Sequence, residues 1–228
     1  MRPVNKGESP YKVIGKYQDA EPYLEERIGR YCSFCEMRVN NALAVEHKES
    51  KSSGGMTIDW ENLLLACTYC NSRKGEKIKK GDLGKWIWPD QDNTFPVFSY
   101  TDAIPKLNEP YLKTAGDAMY SRAKAVLEDL ALDYRPSDLK KDKYRDKRWQ
   151  SRYEALGIAM DAKNIWDNCQ GTVWKICQKE NIVALAKSYG FFSVWMMVFE
   201  HEPEIRQALI QAIPGTRESC FEEVNGNL

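Results

Sequence analysis

The sequence is short of net charge, of long apolar runs and of histidine. Its 33 basic and 33 acidic residues cancel. That excludes a globally basic protein that coats nucleic acid, so any such affinity must come from local patches or from a partner. No run of about 18 apolar residues occurs, and no membrane-spanning helix is expected. The opening MRPVNKGESP lacks the apolar core of a signal peptide. No internal repeat or low-complexity tract is present. Only two histidines occur, His47 and His201, so any imidazole chemistry rests on one of them. What remains is a chain of 228 residues with a hydrophobic share of 43%, enough for one large or two small cored domains.

Cysteine is where the sequence is rich. Two C-x-x-C pairs, Cys32/Cys35 and Cys67/Cys70, bracket an insert of 31 residues. Each pair lets two thiolates reach one ion from a tight turn, and two pairs complete a tetrahedral all-thiolate site suited to zinc. Such a site has no open coordination position, so its role would be structural. Two disulfides or four free thiols are the alternative. Seven cysteines, four of them in metal spacing, argue for a reducing compartment, and a cytoplasmic location is expected.

Inside the bracket, 42–47 (ALAVEH) reads as a short strand ending at His47. Ser52-Ser53-Gly54-Gly55 has loop composition. Residues 60–67 (WENLLLAC) read as a second strand, and 71–80 (NSRKGEKIKK) as a short helix interrupted near Gly75. The motifs C-x-x-C, VEH, WENLLLAC and CNSRKG, in this order, resemble the HNH family of ββα-metal nucleases, in the variation that carries a four-cysteine zinc site. The expected fold class is α+β: a zinc-stapled ββα-metal module followed by a mainly α-helical C-terminal region.

The resemblance implies roles. His47 stands where the family places its general base, and a neutral imidazole near pH 7 suits that task. Glu46 and Asn71 offer hard oxygen donors for a catalytic magnesium or manganese ion. Asn62 tethers the loop and orients His47; capping a turn is its plainer reading, as capping the short helix is for Asn71. Two positions depart from the commonest pattern: Glu46 replaces an Asp, and Asn71 replaces a His. Arg73, Lys74, Lys77, Lys79 and Lys80 make the following segment basic, and Arg73, Lys74 and Lys77 are candidates for holding a phosphate backbone.

Outside this stretch the expectations are coarser. Residues 1–22 read as an extended polar arm. Residues 21–31 read as a short helix with Leu24 and Ile28 apolar and Gly29 ending it. In the loop-like 81–110, Trp86 and Trp88 either stack bases or pack the loop on the core, and Asp90 and Asp92 are weak candidates for extra metal ligands. Residues 111–132 read as one helix. Residues 139–153 carry seven Lys/Arg against two Asp, with Tyr144 and Trp149 interleaved. They suit a nucleic-acid grip, an acidic partner or an exposed amphipathic helix. Beyond 155 the pattern is helical. Cys169 and Cys177 read as buried small apolar residues, Val194 to Phe199 as helix core, and the tail after Pro214 as acidic. The expected division is 1–110, arm and nuclease module with its core at 31–80, and 111–228, a helical region suited to binding a partner.

A wider set of blocks extends the resemblance: MRPVNKG, RIGRYCSFCE, LAVEH, Trp88-Pro89 with Asp92-Asn93-Thr94, and GFFSVW with PGT. Together they resemble the nuclease-subunit family of Septu anti-phage systems (PtuB), including the version found beside retrons. The resemblance implies a nucleic-acid substrate and an SMC/ABC-like ATPase partner (PtuA-like). Beside retrons it also implies a reverse transcriptase with its RNA and DNA. A non-catalytic zinc module that binds nucleic acid or scaffolds a complex is the alternative; it has no need of Glu46, His47 and Asn71 together.

Overall fold

Two runs of four residues pair as an antiparallel hairpin, β1 (Ala44–His47) and β2 (Leu63–Ala66). The register sets Ala44 opposite Ala66, Glu46 opposite Leu64 and His47 opposite Leu63. All four residues of β2 are buried. A computed structural model describes residues 1–11, 15–135 and 146–221 of the chain. The helix α2 (Thr68–Lys74) follows β2 at once. Cys67 caps it, its sulfur accepting from the Cys70 amide, and Gly75 closes it with φ 48°. The expected ββα order is therefore present. Two boundaries differ: residues 60–62 form a 3-10 turn before β2, capped by Asp59, and α2 begins three residues before Asn71.

Helix α1 (Glu21–Ile28) buries Leu24 and Ile28 and ends at Gly29, as its spacing predicts. The preceding arm is packed rather than free. Met1, Arg2, Val4 and Lys6 are buried. Arg2 donates to the carbonyls of Ile28 and Pro214, at 2.8 and 2.6 Å. Polar composition misled here, because buried backbone carbonyls recruited the charged side chains.

After α2, Trp86 and Trp88 are fully buried, so they pack the loop and cannot stack on bases. A two-residue pairing, β3 (Phe98–Ser99) with β4 (Lys106–Leu107), leads into α3 (Glu109–Ala115) and α4 (Asp117–Asp129). The single helix expected over 111–132 is thus two, broken at Gly116, whose φ of 91° suits glycine. Core packing runs continuously from the hairpin through Trp86 and Trp88 to Leu112, Val126 and Leu130.

The helical C-terminal part comprises α5 (Arg148–Asn168), α6 (Lys175–Tyr189), α7 (Phe192–Val198) and α8 (Pro203–Ala212). Trp166, Ile182, Trp195 and Leu209 centre its own core. Val194 to Met196 are buried as expected, but Cys177 is exposed and Cys169 only half-buried. At Gly190 this region meets the first cysteine turn. A Cβ there would lie 2.7 Å from the Arg38 amide nitrogen, so only glycine fits. Residues 139–145 of the basic stretch, Tyr144 included, lie outside the described residues, as do residues 222–228 of the acidic tail. No helix among the described residues is long and apolar enough to cross a membrane.

Candidate functional site

The four cysteines converge. Their sulfurs lie within 4.8 Å of one another, and all four residues are buried. Cys35 and Cys67 stand 3.7 Å apart. A disulfide needs about 2.05 Å, whereas a tetrahedron of thiolates about 2.3 Å from zinc has edges of about 3.8 Å. The set therefore fits a structural zinc ion and not two disulfides. Burial opposes ionisation of Cys32, yet hydrogen bonds from Cys35, Cys67 and Cys70 hold its thiol well below the ordinary range. Burial, followed by Cys32, Cys35 and Cys67, pushes Cys70 up. A metal ion deprotonates the thiols that coordinate it.

Two acidic side chains steady this centre. Glu36, just after Cys35, adopts φ 65°, an uncommon conformation for a side chain. Its carboxylate accepts from the Ser193 amide at 2.9 Å and from the Ser193 hydroxyl at 2.6 Å, which ties the turn to α7. Asp146 holds Arg148 at 2.7 Å, and Arg148 points a guanidinium nitrogen at Cys70 Sγ, 3.3 Å away. Thus α5 supplies a buried cation to the thiolates. Arg148 and Arg152 are both buried, so this end of the basic stretch is core and not a grip on nucleic acid.

His47 closes β1 and is 5% exposed. Its Nε2 lies 2.9 Å from the Thr57 carbonyl. Only an N–H can donate to that oxygen, so the neutral ring carries its proton on Nε2 and leaves Nδ1 as the base. No described residue hydrogen-bonds Nδ1. The Tyr17 ring packs edge-on against the imidazole, at 4.8 Å between centroids. Lys51 sits 4.1 Å over Tyr17 and pairs with no described carboxylate.

Asn62 clamps the loop that carries Thr57. Its Oδ1 accepts from the Glu49 amide at 2.7 Å, and its Nδ2 donates to the carbonyls of Glu49 and Met56, at 3.1 and 2.7 Å. Met56 directly precedes Thr57. One amide thus fixes both ends of the loop and, through the next carbonyl, the tautomer of His47.

Glu46 meets Lys74 across the β1–α2 contact, with 3.0 Å between Oε1 and Nζ. Burial raises the Glu46 carboxyl above its usual range, and Lys74 counters that rise. Asn71 lies one helical turn before Lys74 and so shares its face of α2. Its side chain hydrogen-bonds no described residue.

Several basic and acidic candidates are placed otherwise than expected. Lys74 is 1% exposed and does not present its ammonium to solvent. Arg73 pairs with Asp146 at 3.1 Å, and Lys77 with Asp129 at 2.9 Å. Asp90 is held by Lys48 at 2.8 Å and Lys6 at 3.0 Å, and Asp92 by Arg122 at 2.8 Å. Both aspartates are thus engaged by cations. His201 is exposed and belongs to no metal-ligating cluster among the described residues. Sequence reasoning passed over Tyr17, Lys51 and Arg148. A lone tyrosine in a polar arm gives no signal, but an unbalanced lysine four residues after His47 could have given one.

The ring of His47 yields a direct prediction. Burial lowers its pKa below 6.5; the Thr57 carbonyl opposes this, while Lys51 and Lys74 add to it. The folded state then binds fewer protons than the unfolded chain. Its contribution to stability is present above pH 6.5 and is lost as pH falls through the folded value. In the metal-free site, a proton NMR titration should place the His47 midpoint below 6.5; a midpoint above it contradicts the burial argument.

Residues 30–77 match the family model described as HNH endonuclease. The match takes in the four cysteines, Glu46, His47, Asn62 and Asn71. It marks this stretch as an HNH endonuclease domain and points to nuclease activity; the four-cysteine cluster fits the zinc site of such a domain. No curated protein and no solved structure matches the chain.

Proposed function

We propose that the chain is a metal-dependent endonuclease that hydrolyses phosphodiester bonds in DNA or tRNA. It acts as the toxic effector of an anti-phage defence system, together with a PtuA-like SMC/ABC ATPase and, beside retrons, a reverse transcriptase with its RNA and DNA. The carrying observation is His47: Nε2 bound to the Thr57 carbonyl, Nδ1 left available, and the loop clamped by Asn62. The defence role rests on the resemblance of the sequence blocks alone.

In this reading Nδ1 takes the proton of a water molecule as its oxygen attacks phosphorus. Asn62 and Thr57 hold the imidazole in the productive tautomer. Lys51, paired with no described carboxylate and beside Tyr17, offers a cation to a phosphate oxygen. Glu46 and Asn71 would hold magnesium or manganese; the carboxylate already faces a cation, and the Asn71 amide oxygen has no described partner. That ion, when bound, would stabilise charge on the phosphate and the leaving oxygen.

The competing reading is a non-catalytic zinc scaffold. The Lys74 contact favours it, since a lysine already serves Glu46 as counter-ion. The two part in one experiment. The zinc-loaded chain is incubated, with and without the ATPase, with plasmid, single-stranded DNA and tRNA in magnesium or manganese. Cleavage of at least one substrate is expected; intact substrates in every combination would favour the scaffold.

A further inference from the structure

The Lys74 ammonium is a buried charge for which the nuclease reading has no use. Its side chain is 1% exposed, and its Nζ finds no hydrogen-bond partner. The Glu46 carboxylate, 3.0 Å away, is its one ion-pair partner among the described residues. A buried ammonium normally collects acceptors, and one left without them calls for a reason.

The reason lies in Glu46. A divalent ion held by hard oxygens sits about 2.0–2.1 Å from them. At Oε1 it would stand close to Nζ, and two cations in a buried site repel strongly. Lys74 and a metal therefore exclude each other from the carboxylate. Lys74 is also the last residue of α2, with Gly75 at φ 48° directly after it. Its four-carbon stem is flexible and stands at a helix end.

We propose that Lys74 is the resident counter-ion of Glu46, and that a divalent ion enters only by displacing it. This rests on the reading of Glu46 as a metal-holding residue. Lys74 holds the carboxylate in place in the metal-free protein. It also sets the concentration of divalent ion at which the site assembles. A monovalent ion, with no charge advantage over an ammonium, gains little by the exchange.

The test reads binding and not turnover. Manganese is titrated into the zinc-loaded chain at pH 8, and free Mn2+ is followed by electron paramagnetic resonance. Lys74→Met should bind about tenfold more tightly or better than wild type, because the competing cation is gone. Glu46→Gln should lose the site. Wild-type binding with no gain in Lys74→Met overturns the displacement and leaves the metal reading standing. No binding to either chain, or undiminished binding to Glu46→Gln, removes the metal reading and the proposal with it. Should Lys74→Met fail to retain zinc, the wild type answers instead. Saturating magnesium should shift the Lys74 15Nζ resonance; a signal that stays put while magnesium binds overturns the proposal.

Discussion

Cys67→Ser, or a strong chelator, is expected to abolish the cooperative melt of the hairpin and its flanking turns. The magnitude decides this. Structural zinc contributes about 10–16 kcal/mol in small modules near neutral pH, while whole domains are stable by only about 5–15 kcal/mol. The ordered elements inside the bracket are too short to compensate: β1 and β2 have four residues each, and α2 has seven. Helices that short are marginal without tertiary support. The loss should also spread to α5, where Arg148 is buried against Cys70. Circular dichroism melts with parallel zinc determination test this. A full native melt of the zinc-free chain would contradict it. Cys177→Ser is the control, since that thiol is exposed and such surface changes stay within about 0.5 kcal/mol.

The zinc bracket was the most legible part of the sequence, because its constraint is local. Two thiolates at a fixed spacing can meet one ion only from a tight turn, and the insert must then return to the same point. The strand at 44–47 and the helix after Cys67 follow from apolar content and from a cap written in the sequence. The packing around the site was not legible. Lys74 reads as one more lysine in a basic run, yet its place one turn after Asn71 carries it inward to Glu46. Arg148 and Arg152 fall in a stretch that reads as an exposed amphipathic helix or a grip, yet both are buried, Arg148 against Cys70 and Arg152 against the Leu132 carbonyl. These side chains are set by partners more than 70 positions away, in the case of Arg148 and Cys70, and no local pattern encodes that. The arm shows the same effect: Arg2, Lys6 and Lys48 are buried because distant carbonyls and Asp90 receive them.

The helical half bears on how the site is held. Glu36 reaches α7, Arg148 reaches Cys70, and Arg73 shares Asp146 with Arg148. A change in the helices therefore has a direct path to the thiolate cluster and to α2. Arg73 and Lys77 are already engaged by carboxylates, so phosphate contacts there would require exchange of partners. Lys51 needs none, which makes it the better candidate for the first contact with a substrate.

His47→Ala is expected to lower single-turnover cleavage by about 10²–10⁴-fold, the usual contribution of a general base. The geometry restricts what else the mutation could do. The imidazole makes one described hydrogen bond, to Thr57, and the loop remains clamped through Asn62 to Glu49 and Met56. The four cysteines lie outside the hairpin, in the turn before β1 and at the start of α2, so zinc content should be unchanged. A folded, zinc-loaded His47→Ala chain that cuts nucleic acid as fast as wild type would remove the imidazole from the mechanism. It would leave Glu46, Asn71 and Lys51 to act without a base. Loss of cleavage with zinc and melting behaviour intact would instead assign the missing rate to proton transfer at Nδ1, the ring nitrogen that no described residue engages.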